Sequence, residues 1–122
     1  EIGGQVLFTP HLAPMNRGIL ATCYARPISA NTTTEGLLQL LAEAYKNEKF
    51  VVVSEEIPST KSTQGTNAVH ITARYDARTG YAIVISALDN LTKGASGGAV
   101  QSANVALGLN ESLGLSAVGV WP

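Results

Sequence analysis

Lys93-Gly94-Ala95-Ser96-Gly97-Gly98-Ala99 puts three glycines at the opening of a stretch whose apolar spacing predicts a helix. A glycine inside a helix costs roughly 1 kcal/mol relative to alanine, so the run needs a reason. Glycines at a helix N-terminus let a ligand or a second backbone approach exposed amides and the positive end of the dipole. Tight packing of the helix on a sheet is the plainer explanation, and on the residues alone it is preferred. The spacing is neither G-x-G-x-x-G nor G-x-x-x-x-G-K-[ST], so no dinucleotide or phosphate-loop fingerprint is present.

Other chemistry-bearing residues are scattered. Cys23 lies in Ile19-Leu20-Ala21-Thr22-Cys23-Tyr24-Ala25, a strand pattern in which a free cysteine is expected to be a small buried hydrophobe. With no helix N-terminus or base beside it, no nucleophile is assigned. His70 alternates away from Val69 and Ile71 and is expected to face solvent or a subunit interface. His11, Asn16 and Arg17 cluster near two prolines in a loop before a strand, where a scaffold presents polar groups. Arg17 could clamp a carboxylate or phosphate through two bonds, or make an ordinary surface ion pair. Lys61, among the hydroxyls of Ser59, Thr60, Ser62 and Thr63, carries only a weak anion signal. Two histidines without metal-ligand spacing, and a single cysteine, give no metal site.

The elements that must position these residues follow from periodicity. Residues 5–9 and 19–26 read as strands separated by a loop with Pro10 and Pro14. Thr32 and Glu35 make a capping-box pattern ahead of Leu37, Leu38, Leu41, Ala44 and Tyr45 at helical spacing. Residues 50–53 are β-branched and buried-looking, and residues 55–67 read as a long loop. Val69, Ile71, Ala73 and Tyr75 alternate with His70, Thr72 and Arg74, and after Asp76-Ala77-Arg78-Thr79-Gly80 residues 81–88 return as the second arm of a hairpin. Asp89 is a candidate N-cap for a helix closing near Gly108. The order ββαβββα predicts an α+β fold, with a mainly antiparallel or mixed sheet covered on at least one face by helices.

Composition sets the class. A chain of 122 residues is one domain and too short for a two-domain dehydrogenase. Eight Lys and Arg against nine Asp and Glu give a net charge of −1, without the basic stripe of a nucleic-acid binder. With 45% hydrophobic residues the chain is too apolar for disorder, yet no apolar run approaches a membrane span. The lone Cys23 and the absence of a signal peptide favour a cytoplasmic protein, and the missing initiator methionine predicts a start further upstream or processing. The sequons at Asn31, Asn90 and Asn110 are accordingly not read as glycosylation sites.

Several phrases together resemble the C-terminal part of the N-acetyl-gamma-glutamyl-phosphate reductase family. They are Phe8-Thr9-Pro10-His11-Leu12-Ala13-Pro14-Met15-Asn16-Arg17-Gly18-Ile19-Leu20, Gly65-Thr66-Asn67, Asp76-Ala77-Arg78-Thr79-Gly80, and Ser86-Ala87-Leu88-Asp89-Asn90-Leu91-Thr92-Lys93-Gly94-Ala95-Ser96-Gly97-Gly98-Ala99-Val100-Gln101, with Leu107-Gly108-Leu109 and Trp121-Pro122 like the family's ending. The resemblance implies residues 1–122 as a single C-terminal substrate and dimerisation domain of the kind found in glyceraldehyde-3-phosphate dehydrogenase-like enzymes. Residues 89–108 would be the helix that returns to an N-terminal NADP domain.

In that family a cysteine thiolate attacks an acyl phosphate, phosphate leaves a thioester, and NADPH reduces it to N-acetylglutamate semialdehyde, one difficult step divided into two. Cys23 does not match the family's nucleophile motif, nor His11 its histidine base, so this chain carries no catalytic residue and is expected to be inactive alone. The resemblance assigns Asn90, Gly94 and Ala95 to the border of the nicotinamide. It makes His11 and Arg17 candidates for positioning substrate or shaping the active-site wall. The face carrying His70, Thr72 and Arg74 is expected to join two subunits into at least a homodimer, with no nucleic-acid or membrane partner. The alternatives are an aspartate-semialdehyde dehydrogenase-type C-terminal domain and a non-catalytic oligomerisation module.

Overall fold

The computed structural model describes residues 4–119. Its elements are β1 (Ile19–Ala25), α1 (Thr34–Ala44), β2 (Val51–Val53), a single helical turn α2 (Thr60–Thr63), β3 (Val69–Asp76), β4 (Tyr81–Leu88) and α3 (Gly97–Ala106), the last entered through a π-helical turn (Thr92–Ser96). The strands form one sheet in the order β1-β4-β3-β2, antiparallel except for the β2–β3 pair. The α+β architecture with a mixed sheet is thus the one expected from the alternation and helical periods.

The hairpin is the frame of the sheet. Gly80, at φ +73°, takes the left-handed conformation that closes the turn, and its amide donates to the Asp76 carbonyl at 2.8 Å. The Thr79 hydroxyl donates to the Asp76 carboxylate at 2.8 Å and holds that carboxyl below its usual range, helped by the Arg78 amide. The register sets Leu20, Thr22, Tyr24, His70, Thr72, Arg74, Ile83, Ile85 and Ala87 on one face. The opposite face carries Val53, Ile71, Ala73 and Val84. Helix α1 lies over β2 and β3 on this second side, with Leu38 and Ala42 beside Val53, and Ala73 is fully buried.

Four expectations are corrected. Residues 5–9 form no strand: they are exposed, because a strand is held by its ladder and these have no partner among the described residues. The element order becomes βαβαββα, the additional helix being α2 within the expected loop, capped by the Ser59 hydroxyl accepting from the Lys61 amide. The cap of α1 is Thr33, whose Oγ1 accepts from the Gly36 amide at 3.0 Å. Thr32 instead donates to the Ser29 carbonyl, so the Thr32–Glu35 box does not form. Cys23 is exposed, because β1 is an edge strand and α1, although on the same face, lies over β2 and β3 at the opposite edge of the sheet. Trp121-Pro122 lies outside the described residues.

The helix does close at Gly108, at φ +67°. The Gly108 amide donates to Val105 and the Leu109 amide to Asn104, the paired bonds of a Schellman motif. Apart from Phe50, the core is made of small and polar residues: Ala68, Ala73, Ala82 and Ala87 are its other apolar members, and the largest fully buried side chains are Asn67, Thr63, Thr66, Thr72 and Asp89.

Candidate functional site

The buried polar residues gather where β4 ends. Asp89 is fully buried, and its carboxylate accepts at both oxygens from Arg17 Nε at 2.9 Å, with Arg17 Nη2 2.7 Å from Oδ2. Oδ1 also takes the amides of Leu91 at 2.8 Å and Thr92 at 3.2 Å, while Oδ2 takes the Gly65 amide at 2.6 Å and the Thr92 hydroxyl at 3.1 Å. Burial alone would push this carboxyl up; the Arg17 bond, followed by the Gly65, Leu91 and Thr92 amides, more than reverses that and leaves it well below the usual carboxylate range. The same Asp89 bond holds Arg17 protonated. Asp89 thus does cap the turn that follows, and also ties together residues 72 and 24 positions away.

Asn90 is held from the same side, its Oδ1 accepting the Gly18 amide at 2.7 Å. Gly18 sits at φ +113° against Thr60, where a β-carbon would lie 2.6 Å from Thr60 Cβ. The chain then enters the π turn, with the amides of Ser96 and Gly97 reaching back five residues to Leu91 and Thr92. This answers the glycine question. A β-carbon on Gly97 would lie 2.8 Å from the Thr92 carbonyl and 2.4 Å from Asn67 Oδ1, and one on Gly98 would lie 2.7 Å from the Lys93 carbonyl. Gly97 and Gly98 are therefore demanded by the wide turn and by packing. Gly94 is not, since its nearest contacts would be 3.3 Å and 3.4 Å, and both Gly94 and Ala95 are exposed.

Behind the turn, Gln101 Oε1 accepts from Lys93 Nζ at 2.6 Å and from Asn67 Nδ2 at 2.7 Å, while Gln101 Nε2 donates to Glu111 at 2.5 Å. Lys93 Nζ also stands 5.8 Å from the centre of the Phe50 ring. Asn67 Oδ1 is buried with no hydrogen-bond partner among the described residues and lies where a β-carbon on Gly97 would fall.

Of the residues singled out from the sequence, the fold brings Arg17, Asn90, Gly94 and Ala95 to one end of the sheet. His11 is on the exposed segment ahead of β1, its Nδ1 3.1 Å from the Thr9 carbonyl. His70 and Arg74 lie on the open sheet face, where Arg74 bonds Thr72 Oγ1 and the carbonyls of Ala73 and Glu55. The parts sequence reasoning missed are Thr92, Gly65 and the extent of Asp89's role. An aspartate followed two and three residues later by amides it can cap was the available signal. The Gly65 and Arg17 bonds, made at long range, left none. Among the described residues no group of three or more His, Cys, Asp or Glu could hold a metal ion, and no helix is long and apolar enough to cross a membrane.

A family model described as semialdehyde dehydrogenase, dimerisation domain, matches residues 2–90. The chain is 52% identical over 120 residues to an N-acetyl-gamma-glutamyl-phosphate reductase of Streptomyces avermitilis, covering 97% of this chain and 35% of that protein. It is 51% identical over 119 residues to the protein of the same name in Pseudarthrobacter chlorophenolicus, covering 96% and 34%. For that of a Thermoanaerobacter species the identity is 46% over 120 residues, covering 97% and 35%. The chain spans about a third of the length of the curated relatives it matches.

Proposed function

Because the chain belongs to the semialdehyde dehydrogenase dimerisation-domain family, we propose that it is the substrate and dimerisation domain of an NADP-dependent reductase. That enzyme converts N-acetylglutamyl phosphate to N-acetylglutamate semialdehyde and phosphate in arginine biosynthesis, in the cytoplasm. The observation that carries this reading is identity of about half the residues over nearly the whole chain to proteins of that name. The nucleophile and the base come from sequence beyond this chain.

The site's geometry fits that division of labour. Asn90, Gly94 and Ala95 border the nicotinamide, and the two small exposed residues leave room for a planar ring. When bound, NADPH supplies the hydride. Asn90 presents its side chain from a fixed position, because the Gly18 amide holds its Oδ1. Arg17, gripped by Asp89 and 31% exposed, and His11 on the exposed segment position substrate or shape the active-site wall. The sheet face away from α1, where His70 and Arg74 flank the buried Thr72, joins two copies.

The test is phosphate-dependent reduction of NADP by N-acetylglutamate semialdehyde, with this chain alone and with the same chain joined to its native upstream sequence. Activity is expected only in the joined form. Activity with aspartate semialdehyde in its place would assign the enzyme to that class, and activity with neither would leave a non-catalytic oligomerisation module.

A further inference from the structure

The π turn has no side-chain cap at its first residue, and the group that holds its N-terminal end is the Asp89 carboxylate. Oδ1 fixes the turn from within through the Leu91 and Thr92 amides. Oδ2 ties it to the 65–68 connection through the Gly65 amide. Arg17 closes a ring: its Nε bonds both oxygens, its Nη2 donates to Thr92 Oγ1 at 3.2 Å, and the Thr92 hydroxyl returns to Oδ2 at 3.1 Å. The Gly94 amide donates to the Asp89 carbonyl at 2.9 Å, so the residue's main chain and side chain grip the same turn. The carboxylate thus holds the start of the segment that carries Gly94 and Ala95.

We propose that Asp89 is a positioning residue of the reductase, which through the Arg17–Asp89–Thr92 ring sets how closely Gly94 and Ala95 meet the nicotinamide. Hydride transfer is then governed in part by a side chain that touches neither substrate nor cofactor. The proposal rests on the reading that residues 90–95 border the cofactor. Misplacing reacting groups by an ångström far from the chemistry is enough to slow it by orders of magnitude.

The experiment uses the full-length reductase that carries this segment. Asp89→Asn keeps the shape and removes the charge, Thr92→Val removes only the ring's hydroxyl, and Ala95→Leu adds bulk at an exposed position outside the ring. For Asp89→Asn and Thr92→Val, kcat over KM for NADPH is expected to fall about tenfold, with KM for the acyl phosphate within about twofold of the parent. The isotope effect with NADPH deuterated at the transferred position should rise, which loss of folded protein alone would not produce. Folded variants with kcat, both KM values and the isotope effect unchanged would overturn the proposal, as would a fall in kcat that only tracks the folded fraction. If Asp89→Asn does not fold, Thr92→Val decides. Ala95→Leu separates the two levels: an unchanged KM for NADPH removes the underlying reading and the proposal with it. A raised KM beside an inert Thr92→Val removes the positioning role alone.

Discussion

A fully buried carboxylate stays ionised only where its partners outweigh the loss of hydration, and at Asp89 they do. The consequence is a pH dependence with a definite sign. An unfolded aspartate titrates near about 3.9, and the folded carboxyl lies lower, so ionisation of Asp89 stabilises the fold fully above about pH 4 and the contribution is lost as the pH falls towards the folded value. Asp89→Asn should cost roughly 2–3 kcal/mol near neutrality, less than for a fully buried pair because Arg17 is partly exposed. The gap in thermal midpoint between parent and Asp89→Asn should be widest near about pH 7 and narrower near about pH 3. A gap of the same size at both would show that the charge is not what matters. The residue types that make this cluster are plain in the sequence; their union is not, because Arg17 and Asp89 are brought together only by the pairing of β1 with β4.

The element that gives the site its shape is the π turn, and its glycines divide sharply. At Gly97 a β-carbon would meet a buried amide oxygen and a backbone carbonyl, neither of which can withdraw. Gly97→Ala is therefore expected to lower stability by about 2 kcal/mol or more. At Gly94 the neighbours are the ends of Leu88 and Ile19 and a carbonyl at 3.4 Å, and alanine's better helix propensity, about 1 kcal/mol, offsets the crowding. Gly94→Ala should melt close to the parent; a Gly97→Ala protein that does the same would mean the turn relaxes to an ordinary helix. The spacing of apolar residues announced α1, the hairpin and α3, although in α3 the buried positions are Gly97 and the polar Asn104 and the apolar stripe is exposed. It could not announce a five-residue turn bonded five residues back, which has no repeat of its own. Nor could it separate residues 5–9 from a strand, since a short apolar run such as Val6-Leu7-Phe8 reads as one and only the missing ladder distinguishes it.

At the scale of the whole molecule, the buried residues other than Phe50 are small or polar, while many large apolar ones remain uncovered. On the face opposite α1, Leu20 is 51% and Tyr24 67% exposed, flanking the half-buried Ile83 and Ile85. Exposed apolar side chains grouped on one sheet face mark a contact surface. Two copies related by a twofold axis would bury it against itself, each residue meeting its counterpart's neighbours. Arg74, bent over Thr72 and held by the Ala73 and Glu55 carbonyls, sits towards the margin of this surface rather than at its centre. Arg74→Glu is thus expected to weaken association modestly, whereas Ile85→Arg, central on β4 between Thr22 and Thr72, places two unpaired cations in the middle of the interface. In the full-length protein Ile85→Arg should sediment as a lighter species than the parent at low micromolar concentration. Cys23 supplies an internal control: it faces the other side of the sheet, so its labelling by a thiol reagent should be the same in both proteins if the fold is intact. An Ile85→Arg protein that keeps the parent's sedimentation, with Cys23 unaltered, would move the dimer contact off this face.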